Sequence, residues 1–204
     1  MTGDSITDFG RKHPVGEGDG LGSGYVNFVN VLLNTKFPMN KIRVLNTGVG
    51  GDTVRKLKAR WQTDVLDLSP DYLSIKIGAN DAWSKDENNK KIVSIEEFEI
   101  IYRELIRQAK EKIKNLKKII LITSFLSEAD KNDPMMIELL PYIEVTKKIA
   151  ADTNIMLVDT QPEFDRYFAY GIEPALLAPD RVHPSQVGSM IIAKAFLKVC
   201  GVDV

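Results

Sequence analysis

One cysteine, Cys200, stands in a chain of 204 residues, near the C-terminus and far in sequence from either histidine. No internal disulfide can form, which indicates a structural thiol in a reducing compartment. An excess of charge of either sign is equally lacking. The 27 basic and 28 acidic residues leave a formal net charge of -1, so no long-range field draws the chain to nucleic acid or to an anionic membrane surface. No apolar run reaches the roughly 18 residues of a membrane span, and no signal peptide is visible. The chain is therefore read as cytoplasmic, a reading that weakens if a leader once preceded Met1. With 44% hydrophobic residues, the length suits one domain over 1–204 with a sizeable core.

What is present begins at once. Gly3-Asp4-Ser5-Ile6-Thr7 places a serine among small and polar residues, as at a strand-to-helix turn that presents an acyl-transfer nucleophile. Alone, it is ordinary turn chemistry. A serine hydroxyl also needs a base, an acid to orient the base, and donors for the oxyanion. A nucleophile at the carboxyl end of a first parallel strand needs about five apolar residues ahead of it. Only Met1-Thr2 precede this turn, so the first strand is expected to be truncated or missing. The natural chain is expected to start roughly ten residues upstream, enough for one short strand.

Residues 8–24 are rich in glycine, aspartate and proline and read as a long loop. Its alternating Gly16, Gly18, Gly20, Gly22 and Gly24 have no strand before them and no Gly-Lys-Ser/Thr after, so they are not a nucleotide loop. Tyr25, Phe28, Val29, Leu32 and Leu33 recur at helical spacing over 23–36. Ile42 to Asn46 is a short strand, followed by the turn Thr47-Gly48-Val49-Gly50-Gly51-Asp52-Thr53 and a helix bearing Leu57, Trp61, Val65 and Leu66. Glycines ahead of a helix leave backbone N–H groups free for an anionic oxygen.

A third strand, Tyr72 to Ile77, ends at Gly78-Ala79-Asn80-Asp81. Ser94-Ile95-Glu96-Glu97 is a capping box for a long helix. The lysines from Lys110 to Lys118 are its solvated face and end, and 117–123 is an apolar fourth strand. Because proline breaks a helix interior, the next helix is expected to start near Pro141, with Met135, Met136, Leu139 and Leu140 in an apolar flap or an interface. An interface there would make a homo-oligomer. That helix runs to about Asp152, and Ile155 to Asp159 is the fifth strand. Alternating strands and helices predict an α/β/α sandwich on a parallel, five-stranded, flavodoxin-like sheet, with ligands at the strands' carboxyl ends. Ser5, Gly51 and Asn80 each fall just beyond such an end.

There are two histidines. His13 sits in the glycine-rich loop with no well-spaced carboxylate. His183 follows Asp180 by three residues in Ala178-Pro179-Asp180-Arg181-Val182-His183-Pro184-Ser185, a spacing that on a turn sets both side chains to one side. Pro184 suits the first position of a closing helix that carries Val187, Ile191, Ile192, Ala195 and Leu197.

Together, Gly-Asp-Ser, Asn-Thr-Gly-Val-Gly-Gly-Asp-Thr, Gly-Ala-Asn-Asp and Asp-x-x-His, in order from Gly3 to Ser185, resemble the SGNH, or GDSL, serine hydrolases. The resemblance implies a Ser5–His183–Asp180 triad and an oxyanion hole made by the Ser5 and Gly51 N–H groups with the Asn80 side chain. It implies no cofactor and no metal ion. A narrower resemblance is to bacterial acetyl-xylan esterases, in Gly-Asp-Ser-Ile-Thr-Asp-x-Gly-Arg, Leu-Lys-Ala-Arg-Trp, Gly-Ala-Asn-Asp-Ala-Trp and Asp-Arg-Val-His-Pro-Ser. It implies an acylated sugar as substrate. Trp61 and Trp83 could line a sugar site, but tryptophans so placed are more often core. A lysophospholipase or thioesterase would keep the same residues and add an apolar acyl channel, for which 125–140 is the one hint. A non-catalytic carbohydrate-binding protein would tolerate loss of the triad, so intact catalytic residues count against it.

Overall fold

Four parallel strands form the central sheet of the computed structural model, which describes residues 1–203. They are β1 (Thr2–Gly3), β4 (Tyr72–Lys76), β5 (Lys118–Ile122) and β6 (Met156–Val158), side by side in that order. The burial of β5 on both faces follows from its sequence, since a parallel strand covered by helices must be apolar throughout. Its side chains alternate between two cores. Ile119 and Leu121 join Val54, Leu57, Phe98, Tyr102 and Leu139 on one face. Ile120 and Ile122 join Ile6, Tyr25, Val29, Ile192 and Phe196 on the other.

The first of these layers is built by α3 (Val54–Ala59), α5 (Ile95–Lys112) and α6 (Pro134–Thr153). The second contains α2 (Tyr25–Lys36), α7 (Thr160–Ala169) and α9 (Gln186–Val199). This is the three-layer sandwich that the alternation of elements predicts. No helix among the described residues is long and apolar enough to cross a membrane.

The sheet has four strands where five are expected. Of the segment expected to supply the other, only β3 (Leu45–Asn46) is a strand, and it pairs antiparallel with β2 (Gly16–Glu17) in a separate ribbon. The chain around it still runs beside β1. Met1 N donates to Leu45 O at 2.7 Å, Thr47 N to Met1 O at 2.9 Å and Val49 N to Gly3 O at 3.0 Å. Those alternate bonds place it in the fifth position of the layer, while the glycines from Gly48 onward turn it away before a strand develops. The first strand is short but present, since Thr2 and Gly3 pair with Ile75 and Lys76. Gly3 is required there: a Cβ on it would stand 2.1 Å from the Lys76 carbonyl oxygen.

Three helix boundaries differ from expectation. The helix expected from Pro141 starts at Pro134, with Asp133 accepting from Met135 N at 2.9 Å as its cap. Pro134 is then the favoured first-turn proline, and Pro141 is carried inside the helix. Met136 and Leu139 are core, not flap, while Leu140 is exposed. The last helix begins at Gln186, capped by Ser185, so Pro184 precedes it and Val187 faces solvent. The helix bearing Trp61 breaks after Ala59 and widens into a π turn over Gln62–Leu66. Trp61 is buried there in the core.

Candidate active site

Ser5 opens the single-turn helix α1 (Ser5–Asp8) directly after β1. The turn is fixed by its neighbours. Asp4 N donates to Lys76 O at 3.2 Å, and the Asp4 carboxylate accepts from Ile6 N at 3.0 Å as the helix cap. Beneath it, the Lys76 ammonium lies 3.8 Å from the other Asp4 oxygen, both side chains being wholly buried. Burial holds the Lys76 pKa below its ordinary value, against the attraction of Asp4.

Arg60 braces the same strand end from outside. It donates to Gly3 O at 2.9 Å and Thr47 O at 2.5 Å, and pairs with Asp52 at 2.6 Å and Asp64 at 2.8 Å. A strand of two residues therefore suffices to hold the serine, because a guanidinium and a buried ion pair take over much of the anchoring.

His183 reaches Ser5 from the loop between α8 (Pro174–Leu177) and α9. Its Nε2 lies 2.8 Å from Ser5 Oγ, and its Nδ1 lies 2.6 Å from Asp180 Oδ2. Asp180 Oδ1 accepts from Val182 N at 3.0 Å and His183 N at 2.7 Å, so the three-residue spacing is closed by the carboxylate itself. Partial burial works to raise the Asp180 pKa, but the hydrogen bonds from the His183 backbone and ring and from Val182 outweigh it and hold the carboxyl below its usual range. His183 and Asp180 remain 44% and 58% exposed, which leaves the site open to a bulky substrate. His13 is exposed on the glycine-rich loop.

The turn that follows β3 packs against α1. Gly50 N donates to an Asp8 carboxylate oxygen at 3.0 Å, and a Cβ on Gly50 would lie 3.9 Å from Ser5 Cβ. Gly51 has φ +76°, a left-handed conformation suited to glycine. Among the described residues, neither Ser5 N–H nor Gly51 N–H has an acceptor. Asn80, on α4 (Ala79–Trp83), donates through Nδ2 to Asp52 O at 3.0 Å, which ties its helix to this turn and leaves its second amide proton available. The structure thus unites Ser5, His183 and Asp180 by direct contact, and links Gly51 and Asn80 through Asp52.

Other residues of the site escaped sequence reasoning. Asn46 donates to Thr7 O at 2.6 Å and Leu21 O at 2.8 Å and accepts from Gly48 N at 2.9 Å, stitching three loops together. Asp81 accepts from Val54 N at 2.9 Å, and its other oxygen has no partner; burial, partly offset by that hydrogen bond, pushes its pKa up to about 7. Asn46, Arg60 and Asp81 all lie inside the quoted motifs, so their position was a signal even though their contacts were not. Trp83 is half-buried and donates to Met135 O at 3.1 Å.

No described cluster of His, Cys, Asp and Glu residues could hold a metal ion. Residues 1–191 match the GDSL-like lipase/acylhydrolase family. A curated relative, an acetylxylan esterase of Geobacillus stearothermophilus, is 45% identical over 98% of this chain and 92% of its own. The crystal structure of the acetylxylan esterase Axe2 from that organism superposes with a TM-score of 0.90 at 44% identity, covering 99% of this chain and 93% of the other. An α/β hydrolase from the metagenome of Lake Arreo, Spain, superposes with a TM-score of 0.90 at 38% identity, over 98% and 93% of the two chains. Catalytic mutants of Axe2 in which a serine, an aspartate or a histidine is replaced by alanine have also been solved. Sequence and structure agree across nearly the whole length, and the chain belongs to the GDSL-like lipase/acylhydrolase family.

Proposed function

We propose that the protein is a serine esterase that removes acetyl groups from esterified sugars, xylo-oligosaccharides among them, through an acyl-enzyme on Ser5. The observation that carries this reading is the unbroken relay from Ser5 Oγ to His183 Nε2 at 2.8 Å and from His183 Nδ1 to Asp180 at 2.6 Å. Ser5 Oγ attacks the acetyl carbonyl carbon while its proton passes to His183 Nε2, and Asp180 stabilises the imidazolium that results. The tetrahedral oxyanion is held by the Ser5 and Gly51 N–H groups and the Asn80 amide. Collapse breaks the bond to the sugar oxygen, which leaves with the proton from His183. Water then attacks the acetyl-serine with His183 as base, acetate departs, and Ser5 regains its proton.

The acetyl preference is supported by what surrounds the relay. Met136 and Leu139, which could have lined an acyl channel, are packed in the core, and the motifs that carry Ser5, Gly51, Asn80 and His183 are rich in glycine, asparagine, aspartate and arginine. A long acyl chain would gain about 0.8 kcal/mol per methylene only where an apolar channel receives it. Replacing Ser5 with Ala should lower turnover of p-nitrophenyl acetate on the order of 10³-fold or more in a folded protein. For the wild type, kcat/KM should fall at least about tenfold from acetate to butyrate, with acetylated xylose accepted. Activity that rises with chain length would transfer the assignment to a lysophospholipase or thioesterase.

A further inference from the structure

Arg181 lies between the candidate acid and base of the relay with φ +74°, in the left-handed region that side chains with a Cβ rarely adopt. Both of its backbone groups are engaged: its N–H donates to Ala178 O at 2.9 Å, and its carbonyl accepts from Ser127 N at 2.8 Å. Glycine would take this conformation without strain. An arginine here makes physical sense through what its side chain does.

That side chain leaves the relay and reaches the start of α6. Its Nη2 lies 2.8 Å from a Glu128 carboxylate oxygen and 2.7 Å from one of Asp133, and its Nη1 lies 3.8 Å from Met135 Sδ. Nη2 makes no well-aligned hydrogen bond and Nε has no partner, so the attraction is chiefly that of one cation between two anions. The three side chains are 35%, 24% and 19% exposed, which limits screening by solvent. The Arg181 guanidinium beside it holds the Asp133 carboxyl below its usual range.

The far end of this contact leads back to the site. Asp133 caps α6 at Met135 N, and Met135 O accepts from the Trp83 indole at 3.1 Å. Trp83 ends the helix that carries Asn80. One short segment, 133–135, therefore touches both the loop of the candidate base and the helix of the candidate oxyanion donor.

We propose that Arg181 is a positioning residue: its guanidinium, fixed between Glu128 and Asp133, holds the Asp180–His183 turn in register with Ser5 and with the Asn80 helix. This rests on the reading of Ser5, His183 and Asp180 as the catalytic relay. The turn itself is local, since Asp180 closes it by its own hydrogen bonds. Its placement against the rest of the site is not local. Without the guanidinium, the turn keeps its shape but drifts relative to Ser5, and misplacement by about 1 Å can cost on the order of 10²-fold in rate. Binding of the ester, which needs no proton transfer, changes little.

The test uses the full chain with p-nitrophenyl acetate and compares wild type, Ser5→Ala, Arg181→Gly and Arg181→Lys. Glycine tolerates the left-handed backbone, so that variant removes the side chain without adding strain. Arg181→Gly should lose about 10- to 100-fold in kcat with KM within about threefold, and millimolar guanidinium chloride should restore part of the loss. Arg181→Lys, which returns a cation, should fall between it and wild type. If Arg181→Gly does not fold, the double variant Glu128→Gln/Asp133→Asn decides, because asparagine still caps α6; it should show the same kcat loss. A kcat within about twofold of wild type for Arg181→Gly, or for the double variant if that one decides, overturns the brace. So does a loss that guanidinium leaves unchanged. Retained turnover in Ser5→Ala would instead overturn the relay, whereas an inactive Ser5→Ala beside a fully active Arg181→Gly removes the brace alone.

Discussion

Replacing Asp180 with Asn keeps its size and shape and tests whether the carboxylate works through charge and tautomer. In the native turn one oxygen accepts from Val182 N and His183 N, and the other faces His183 Nδ1 at 2.6 Å. Asparagine has one oxygen. If it stays on the two backbone N–H groups, the amide NH2 faces Nδ1, which must then be unprotonated. The proton sits on Nε2 instead, 2.8 Å from Ser5 Oγ, where it prevents that nitrogen from accepting the serine proton.

If the amide flips to escape this, both backbone hydrogen bonds are lost at about 1 kcal/mol each, which alone is roughly 30-fold in rate. Loss of the negative charge beside the imidazolium adds to either outcome. A buried aspartate in such a relay contributes about 10⁴-fold, but Asp180 is 58% exposed, and solvent recovers part of the charge stabilisation. The expected loss in kcat/KM is therefore about 10²- to 10³-fold, or roughly 3–4 kcal/mol. It should be measured with p-nitrophenyl acetate between pH 6 and 9, with Ser5→Ala as background and circular dichroism to confirm folding. A loss of less than about tenfold at neutral pH would refute the reasoning and leave a Ser5–His183 dyad.

Two further outcomes follow from polar groups near the site. Asn80→Ala should lower kcat by about 10²–10³ with KM comparatively unchanged, because its donor matters once charge has developed on the acyl oxygen; a change in KM alone would make Asn80 a substrate-binding residue. Asp81, with its pKa raised to about 7 in the folded state, binds its proton more tightly there than in the unfolded chain. Its contribution to stability is complete below the unfolded carboxyl range and is lost as pH rises through about 7. Asp81→Asn keeps an acceptor for Val54 N and cannot ionise. It should hold its urea midpoint from pH 5 to 8 while the wild type declines, the difference at pH 8 reaching at most about 4 kcal/mol. Parallel pH profiles for the two proteins would exclude a titrating Asp81.

The order of elements was legible because hydrophobic period and turn residues are local signals. The places of Ser5 and Asn80 were legible because each follows a strand of the parallel sheet, and those of Gly51 and His183 because each stands in a turn-forming motif. The roles of all four belong to the proposed function. What escaped depends on contacts made across the chain. Pro141 was read as a helix start by the local rule, yet Asp133-Pro134 upstream supplies a better one, and the buried Met136 and Leu139 keep the helix continuous through the proline. Ile42 to Asn46 has the composition of a strand, but which partner it takes is decided by Gly16–Glu17 on one side and β1 on the other. Arg60 and Arg181 look like surface cations in sequence. Only the fold shows one gripping the strand end before the serine and the other the loop of the histidine.

The contact between Ser5 and His183 joins positions 178 residues apart, and this bears on when the protein becomes active. Closing so long a loop carries a large entropic cost. Synthesis delivers the serine before the histidine, and His183 follows every strand of the described sheet. A growing chain therefore stays silent towards esters until α8 and α9 dock, however well its earlier layers have set. The same geometry acts in reverse: fraying of the α8–α9 end alone should withdraw the proposed base and stop turnover while the buried tryptophan of the opposite layer, Trp61, reports a folded protein. In a refolding experiment, recovery of esterase activity should trail recovery of tryptophan fluorescence, and the lag between them times the docking of the chain's last helices.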